Sequence, residues 1–154
     1  AGMKVTPFHT PHDAVDSMGF RFETGDSRTL AIATDLGYIT QEVREHILGA
    51  HLVMLESNYD VRMLESGTYP YFLKQRIKGR QGHLSNDDCA VQVSELVKTG
   101  TNRVFLAHLS RENNLPQLAY EHTKSSLREI GAKENFDYLL QVAPREFPAQ
   151  IMVF

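Results

Sequence analysis

The sequence predicts an α/β protein with layered helices and sheet (α+β layered), and three observations lead to this fold class. Apolar runs of the length of buried strands recur at Thr29–Ala33, residues 51–55 and Arg103–Ala107. Helical segments with one apolar face separate these runs, and capping residues mark their ends. The 154 residues, 42% of them hydrophobic, have the length and apolar content of one globular domain. Strands that alternate with amphipathic helices indicate a sheet with a largely parallel portion.

Three strands are predicted before residue 34. Met3–His9 is the first, and after a loop the next segment alternates large apolar residues with small or polar ones. The alternating apolar residues are Met18, Phe20 and Phe22. The continuous apolar run Thr29–Ala33 predicts a buried strand that delivers Asp35 at its carboxyl end.

A short helix and another buried strand are predicted next. Thr40 is typical of a helix N-cap, and Gly49 is typical of a helix end. The apolar residues between them that share one helical face are Val43, Ile47 and Leu48. Residues 51–55 then form an apolar run that leads into Glu56.

The middle of the chain contains one insecure stretch and one clear helix. Residues 61–78 are predicted to be irregular or helical, with interruptions at Gly67 and Pro70. Ser85 and Asp88 have the spacing of a capping box, which predicts a helix that begins there and ends at Gly100.

The last predicted elements are a strand, a helix and a strand. Arg103–Ala107 is an apolar run that ends at His108. Pro116 is typical of the first position of a helix, which is predicted to end at Gly131. Residues 138–142 complete the sheet.

Composition excludes several classes of protein. The 16 Lys and Arg against 19 Asp and Glu give a net charge of −3, which argues against a protein that coats nucleic acid through bulk positive charge. A single cysteine, Cys89, excludes disulfides, and the absence of a long apolar run excludes a membrane anchor. A cytoplasmic location is therefore expected. The first residues do not resemble a signal peptide, and their abrupt entry into a strand suggests a fragment.

Four polar residues follow predicted strands or the loop after one: His12, Asp35, Glu56 and His108. Functional groups gather beyond the carboxyl ends of such strands because the loops converge there. Imidazole and carboxylate groups are the ligands expected for zinc or manganese, and a carboxylate can bridge two cations. Two histidines and one aspartate are nevertheless too few for a site with two metals.

The remaining histidines and the cysteine are assigned other roles. His46 and His122 lie inside predicted helices and His51 opens a strand, so surface or packing roles are favoured. His9 is close to His12 in the sequence and is left undecided. Cys89 lies on an apolar helical face and is expected in the core.

A group of basic residues precedes Gly82-His83 at alternate positions: Lys74, Arg76, Lys78 and Arg80. One interpretation is a solvated basic surface. The other is a phosphate-binding surface beside the catalytic groups, which supplies an attraction that the net charge does not.

Six motifs in order give the chain a specific resemblance that covers nearly its whole length. They are Pro11-His12-Asp13-Ala14, Ala33-Thr34-Asp35-Leu36-Gly37, Leu55-Glu56-Ser57-Asn58, Leu73-Lys74-Gln75-Arg76, Gly82-His83-Leu84-Ser85-Asn86 and Ala107-His108-Leu109-Ser110-Arg111-Glu112-Asn113-Asn114. The chain resembles the YycJ/WalJ-like subgroup of metallo-β-lactamase-fold hydrolases, which is related to transfer-RNA 3′-processing and β-CASP nucleases.

The resemblance implies a site for two divalent metal ions, zinc or manganese. His12 would complete the shell of the first metal, Asp35 would bridge both, and His108 would bind the second. Glu56 and His83 resemble a dyad in which His83 protonates the leaving oxygen or holds the scissile phosphate. The alternative for His83 is that it merely precedes a helix cap. The implied reaction is hydrolysis by a metal-bridging hydroxide.

For this subgroup, the resemblance implies a nuclease of the single-strand or 5′-end DNA exonuclease type, with nucleic acid as the partner of the intact enzyme. An alternative with the same fold is a hydrolase of thioester, lactone or β-lactam substrates. An alternative of another class is a non-catalytic interaction module.

The family's His-x-His-x-Asp-His motif does not occur in these residues. Residues 1–154 are therefore expected to form a single domain that is the C-terminal half of the αββα sandwich, without the N-terminal half. The chain alone is expected to bind metal weakly and to catalyse little or nothing. The exposed apolar sheet face is expected to drive homodimer formation or to require the absent half.

Overall fold

The computed structural model describes residues 2–154, and within them six strands and five helices alternate along the chain. The strands are β1 Met3–His9, β2 Met18–Thr24, β3 Thr29–Ala33, β4 Leu52–Glu56, β5 Arg103–Ala107 and β6 Leu139–Val142. The helices are α1 Gln41–Ile47, α2 Val61–Ser66, α3 Tyr71–Lys78, α4 Asn86–Lys98 and α5 Pro116–Glu129. The predicted α/β fold class is confirmed.

All six strands belong to one sheet, in the order in which they follow one another along the chain. β1, β2 and β3 pair antiparallel, whereas β3, β4, β5 and β6 pair parallel. Right-handed crossovers between parallel strands placed side by side put their helices on the same face of the sheet. The largely parallel portion that the sequence predicted is therefore present, with helices on one face.

The core lies between that face and the helices. Every second residue of the parallel strands is fully buried there, namely Ala31, Ala33, Val53, Leu55, Val104 and Leu106. The helices contribute Val43, Ile47, Val93, Leu96 and Leu127 to the same cluster. Cys89 is also fully buried in it, as the sequence predicted.

The opposite face of β1 and β2 carries exposed apolar side chains. Val5 pairs with Phe22, and Phe20 pairs with Pro7 on one side and Ile32 on the other. Met3, Val5, Met18 and Phe20 are 59%, 48%, 40% and 39% exposed. An apolar face of this kind normally meets another layer of protein.

The helix caps agree with the sequence signals. The Thr40 side chain accepts a hydrogen bond from the Val43 backbone N–H, and Ser85 accepts one from the Asp88 backbone N–H at 3.1 Å. Pro116 is the first residue of α5. Gly100 and Gly131 adopt positive φ just beyond α4 and α5, which suits glycine at helix ends.

The insecure stretch 61–78 resolves into two short helices. Asp60 caps α2 by accepting a hydrogen bond from the Met63 N–H at 2.8 Å, and Gly67 ends that helix. Pro70 precedes α3. Strand β4 begins at Leu52, one residue later than the apolar run suggested, and the His51 backbone N–H just before it donates to the Thr29 carbonyl at 3.0 Å. Within residues 2–154, no helix has the length and apolar character needed to cross a bilayer.

Candidate metal centre

Three candidate residues reach one edge of the sheet because β3, β4 and β5 are parallel neighbours. Ala33 is in register with Leu55, and Glu56 is in register with Ala107. Asp35, Glu56 and His108 therefore emerge at the carboxyl ends of adjacent strands, where the sequence placed them. The topology converts three separate strand ends into one cluster.

His83 joins this cluster from the connection between α3 and α4. Its backbone N–H donates to the Ile77 carbonyl at 2.9 Å, and the next carbonyl, that of Leu84, accepts from the Asn58 N–H at 2.9 Å. These bonds fasten the connection between the end of α3 and the end of β4. The side chain is 18% exposed and faces the strand ends.

Asp35, Glu56, His83 and His108 each offer a ligand atom, and these atoms all lie within 4.8 Å of one another. Asp35 Oδ1 lies 3.9 Å from His83 Nδ1 and 3.7 Å from His108 Nδ1. Imidazole and carboxylate groups of this kind are the donors that suit a borderline divalent cation such as zinc or manganese. The residues present thus fit a divalent metal.

Glu56 is the centre of the hydrogen bonding, although its side chain is completely buried. Its Oε1 accepts from His83 Nδ1 at 2.8 Å and from His108 Nδ1 at 2.6 Å. Its Oε2 accepts from the backbone N–H groups of Leu36 at 3.0 Å and Leu84 at 3.2 Å. One carboxylate therefore fixes two imidazoles and the two loops that contain Leu36 and Leu84.

The charge on Glu56 follows from these bonds. Burial disfavours the charged form, but the hydrogen bonds from His108 and His83 outweigh it, so the pKa of the Glu56 carboxyl lies below its ordinary value. The hydrogen bond to Glu56 in turn raises the pKa of His108 against the effect of burial. Because an ionised carboxylate only accepts, both rings carry their proton on Nδ1 and leave Nε2 available when neutral.

His12 lies beside the cluster. Its Nδ1 is 2.8 Å from the Gly82 carbonyl oxygen, so this nitrogen donates and Nε2 keeps a lone pair. His12 Nε2 lies 3.6 Å from Asp35 Oδ1, and the imidazole ring packs against that of His83 at 4.8 Å between centroids. Asp35 Oδ1 thus lies 3.6 Å from His12 Nε2 and 3.7 Å from His108 Nδ1.

Both Asp35 and His108 have a left-handed backbone with φ of +56°. Such a conformation costs a residue other than glycine about 1–3 kcal/mol, and it persists only where surrounding contacts enforce it. For His108 one contact is clear, since Asn58 Nδ2 donates to the His108 carbonyl at 2.7 Å. Asn58 is 8% exposed and was not predicted as a site residue.

A buried amide network supports the same loops, and sequence reasoning missed it. Asn114 Nδ2 donates to the carbonyls of Ser57 and Asn58 at 2.9 and 3.0 Å, and Asn114 also bonds the Asn86 side chain. Ser57 Oγ donates to Asn86 Oδ1 at 2.7 Å. The sequence did contain a signal, namely the polar residues directly after an apolar strand. Polar residues buried at such a position need hydrogen-bond partners, which indicates a network.

The four basic residues predicted as one group do not share one surface. Lys74 donates to the backbone carbonyls of Glu65 and Gly67, and Lys78 pairs with the Glu65 carboxylate at 3.3 Å. Arg76 instead forms a two-bond ion pair with Asp13, and Arg80 lies 3.9 Å over the Tyr38 ring. Residues two apart point to opposite sides of a helix, so Arg76 points away from Lys74 and Lys78 on α3, whereas Arg80 lies beyond the end of that helix.

The other histidines of the described chain lie outside the cluster, with neighbours that account for each ring. His46 stacks on Phe8 at 4.8 Å, and His51 Nδ1 lies 2.8 Å from Thr29 Oγ1. His122 contacts Asp87 at 2.8 Å, and His9 lies beside Glu42 on the surface. Surface and packing roles fit these contacts.

Comparison with known proteins places this geometry in a family. Residues 1–109 match the profile described as the beta-lactamase superfamily domain. This chain belongs to the β-lactamase superfamily. The metallo-β-lactamase resemblance given by the six motifs is confirmed.

Curated relatives within the β-lactamase superfamily carry a nuclease name. The chain is 37% identical over 129 residues to exodeoxyribonuclease YycJ of Bacillus anthracis, a match that covers 84% of the chain and 48% of the relative. It is 37% identical over 134 residues to exodeoxyribonuclease WalJ of Streptococcus pneumoniae, covering 87% of the chain and 49% of the relative. The chain spans about half the length of these relatives.

Solved structures support the superfamily fold. YhfI of Bacillus subtilis, a metallo-β-lactamase fold protein, matches with a TM-score of 0.63 at 19% identity, covering 93% of this chain and 48% of that one. Zinc-bound PqqB of Methylobacterium extorquens matches with a TM-score of 0.60 at 20% identity, covering 97% and 47%. Human tRNase Z, short form, matches with a TM-score of 0.56 at 16% identity, covering 98% and 44%. At these identities the likeness establishes the fold alone.

Proposed function

We propose that this chain supplies one side of the active site of a metal-dependent DNA phosphodiesterase of the exonuclease type. The observation that carries the proposal is the cluster of Asp35, Glu56, His83 and His108 at the carboxyl ends of the parallel strands. The nuclease names of the two curated relatives support DNA as the substrate.

Three residues would hold two divalent metal ions, zinc or manganese. Asp35 would bridge the ions, His12 would bind one through Nε2, and His108 would bind the other through Nε2. Two such ions, when bound, would supply Lewis acidity, which makes water more acidic and stabilises negative charge on a phosphate. The Gly82 carbonyl and Glu56 carboxylate orient the two imidazoles from behind, as supporting groups of metal ligands commonly do.

His83 and Glu56 would act on the substrate side of the same cluster. Glu56 Oε1 accepts from His83 Nδ1 at 2.8 Å, which fixes the ring and its tautomer. His83 Nε2 can then hold the scissile phosphate or give a proton to the leaving oxygen. Glu56 is a positioning residue in this scheme, since it is fully buried and reaches the chemistry only through His83 and His108.

Residues 1–154 contain no His-x-His-x-Asp-His sequence, and two histidines with one aspartate cannot complete two metal shells. We infer that the other ligands come from a segment corresponding to the other half of the relatives, seated on the exposed apolar face of β1 and β2. The isolated chain would then bind metal weakly and cleave little DNA. Assembly is the step that would complete the centre.

The composition of the segment that precedes His83 favours phosphodiesters over thioester, lactone or β-lactam substrates. Residues 61–80 contain five basic residues and one acidic residue, in a chain whose net charge is −3. A local excess of positive charge attracts a phosphate backbone, whereas a small neutral substrate gains little from it.

The test combines this chain with a segment corresponding to the other half of the relatives, and compares Asp35→Asn with Asp16→Asn. Both aspartates have positive φ, +56° and +52°, which asparagine tolerates, so backbone strain is matched. Metal content and cleavage of 5′-labelled single-stranded DNA are measured. We expect about two metals per complex and cleavage that Asp35→Asn abolishes and Asp16→Asn preserves.

The remaining outcomes separate the alternatives. Metal binding with intact DNA, but with hydrolysis of a thioester, lactone or β-lactam, would replace the substrate class and keep the metal centre. Assembly without metal or hydrolysis of any kind would leave a non-catalytic interaction module and reject the proposal.

A further inference from the structure

The two imidazoles of the cluster are held together at their side-chain ends by a single atom. Glu56 Oε1 accepts from His83 Nδ1 at 2.8 Å and from His108 Nδ1 at 2.6 Å. The ring centroids lie 5.2 Å apart, with an angle of 57° between the ring planes. A shared acceptor fixes where the two nitrogens meet, but the backbone of each histidine sets the direction from which its ring arrives.

The two backbones differ in conformation. His108 follows β5 with a left-handed φ of +56°, whereas His83 is not one of the residues with positive φ in the described chain. A left-handed conformation is disfavoured on the order of tenfold for a residue other than glycine, unless surrounding contacts enforce it. His108 therefore needs an anchor that His83 does not need.

Asn58 lies between the loops that carry these two histidines, and its backbone is bonded to both. The Asn58 N–H donates to the Leu84 carbonyl at 2.9 Å, directly after His83. The Asn58 carbonyl accepts from the Ser110 N–H at 2.7 Å, two residues after His108. Because these two bonds use only the backbone of residue 58, they do not require an asparagine.

The side chain of Asn58 adds the bond that depends on asparagine. Its Nδ2 donates to the His108 carbonyl oxygen at 2.7 Å. A carbonyl oxygen only accepts, so this contact fixes which end of the amide faces it. The amide is buried, with Asn58 8% exposed, and it ties the left-handed residue to the end of β4.

Asn58 is itself held in place by buried amides. Its carbonyl also accepts from Asn114 Nδ2 at 3.0 Å, and the same nitrogen donates to the Ser57 carbonyl at 2.9 Å. The Asn86 and Asn114 side chains bond reciprocally, at 2.9 Å in each direction. Satisfied buried networks of this kind are rigid, which gives the Asn58 amide a fixed base.

We propose that Asn58 is a positioning residue for His108, whose amide enforces the left-handed backbone and so directs the imidazole onto Glu56 and the candidate metal centre. The side chain acts on the cluster through the His108 carbonyl. Only the backbone of Asn58 reaches the loop of His83, so the amide positions one imidazole and not the other. This inference rests on the proposed function and deepens it, because it names a residue outside the predicted ligands that sets the geometry of one of them.

Asn58→Leu tests the inference, because leucine is close to asparagine in size and shape but has no donor. NMR of the metal-free 154-residue chain in EDTA gives two readouts at His108. The three-bond coupling between its amide proton and Hα reports φ, and its ring nitrogen shifts report the hydrogen bond to Glu56. We expect φ to leave the left-handed region and the bond to Glu56 to weaken, while the ring shifts of His83 stay as in the parent.

Two control variants separate positioning from loss of stability. Asn113→Leu makes the same exchange at another buried asparagine, whose Nδ2 has no hydrogen-bond partner within residues 2–154. Leu127→Ala opens a cavity in the main core, on the last turn of α5, and so lowers stability. Both variants are expected to leave φ and the ring shifts of His108 unchanged.

Zinc binding gives a second measurement on the same variants. Removal of a group that orients a metal ligand typically weakens metal binding by about tenfold or more. In calorimetric titrations with zinc, we expect Asn58→Leu to lose about tenfold in affinity and Asn113→Leu to lose less than about twofold. The NMR readouts decide the inference if the isolated chain holds too little zinc to titrate.

Unchanged φ and ring shifts of His108 in a folded Asn58→Leu chain would overturn the inference. Equal changes in Leu127→Ala would also overturn it, since lost stability would then explain them, as would equal changes at His83. If Asn58→Leu does not fold, Asn58→Ser is measured in the same way, because its hydroxyl is one bond shorter than the amide. Failure of the assembled protein to cut DNA would reject the proposed function separately, since the NMR readouts require neither metal nor cleavage.

Discussion

Glu56→Gln is the most informative single substitution, because it keeps the shape of the side chain and removes its charge. The wild-type carboxylate accepts four hydrogen bonds, two from imidazoles and two from backbone N–H groups. A glutamine oxygen can still accept the two backbone bonds of Leu36 and Leu84. Its NH₂ group then faces the Nδ1–H groups of His83 and His108, and donors oppose donors.

The magnitude follows from those two bonds. A hydrogen bond to a charged group contributes about 1.5–3 kcal/mol. We take the lower end, because the imidazoles are 18% and 43% exposed and can partly turn to water or change tautomer. Glu56→Gln should therefore lower the free energy of unfolding by about 3 kcal/mol.

Urea unfolding of the metal-free chain, followed by circular dichroism, measures this loss at unchanged m-value. Glu45→Gln is the control, since Glu45 is exposed on α1 and its substitution should change stability by less than about 0.5 kcal/mol. The substitution should also move the ring proton of His83 and His108 from Nδ1 to Nε2. Nitrogen chemical shifts of the two imidazoles would report this change of tautomer. A loss no larger than that of Glu45→Gln, with unchanged tautomers, would refute the role of Glu56 as the organising acceptor.

Three further predictions concern pH, association and thiol reactivity. Because folding lowers the pKa of Glu56, its ionised carboxylate stabilises the fold above the ordinary pKa of 4.5, and this stabilisation is lost as the pH falls. Because folding raises the pKa of His108, its protonated imidazole stabilises the fold below the ordinary pKa of 6.5, and this stabilisation is lost as the pH rises. The stability difference between the parent and Glu56→Gln in EDTA should therefore be widest between pH 4.5 and 6.5, and a flat difference in urea titrations would contradict the assignment. Phe20→Glu should reduce self-association measured by sedimentation velocity, because Phe20 lies on the exposed apolar sheet face. Phe136→Glu, in an exposed loop, should leave self-association unchanged. Equal behaviour of the two variants would show that the sheet face does not drive association. Burial raises the pKa of the Cys89 thiol to about 12, so a thiol reagent should react with it only on unfolding, and fast labelling of the folded chain would show that α4 opens readily.

Much of the fold was predictable because its signals are local. The caps at Thr40, Ser85 and Pro116 each concern a few consecutive residues, and their backbone groups must find partners wherever the helix later packs. The strand-end positions of Asp35, Glu56 and His108 were also readable, because parallel neighbouring strands end on the same edge. The family motifs then gave these residues prospective roles, which remain predictions until metal binding is measured.

The Lys74 to Arg80 group shows what a linear pattern leaves open. In a strand, residues at alternate positions share one side. Residues 71–78 form a helix, in which residues at the same spacing lie on two different sides. Glycine and proline marked the boundaries of the two short helices at Gly67 and Pro70, while the helical identity of the segments was insecure. Marginal helices depend on tertiary packing more than on propensity.

By itself, the sequence determined the order of strands and helices, their main caps, and the strand-end placement of the acidic and imidazole groups. The tertiary structure alone decided that Glu56 binds both His83 and His108, which lie 27 and 52 residues away along the chain. It also decided that Asn58 holds the left-handed backbone of His108. Local patterns report the neighbours that a residue has along the chain, whereas a buried carboxylate takes the partners that packing brings to it, because each unsatisfied donor or acceptor would cost free energy.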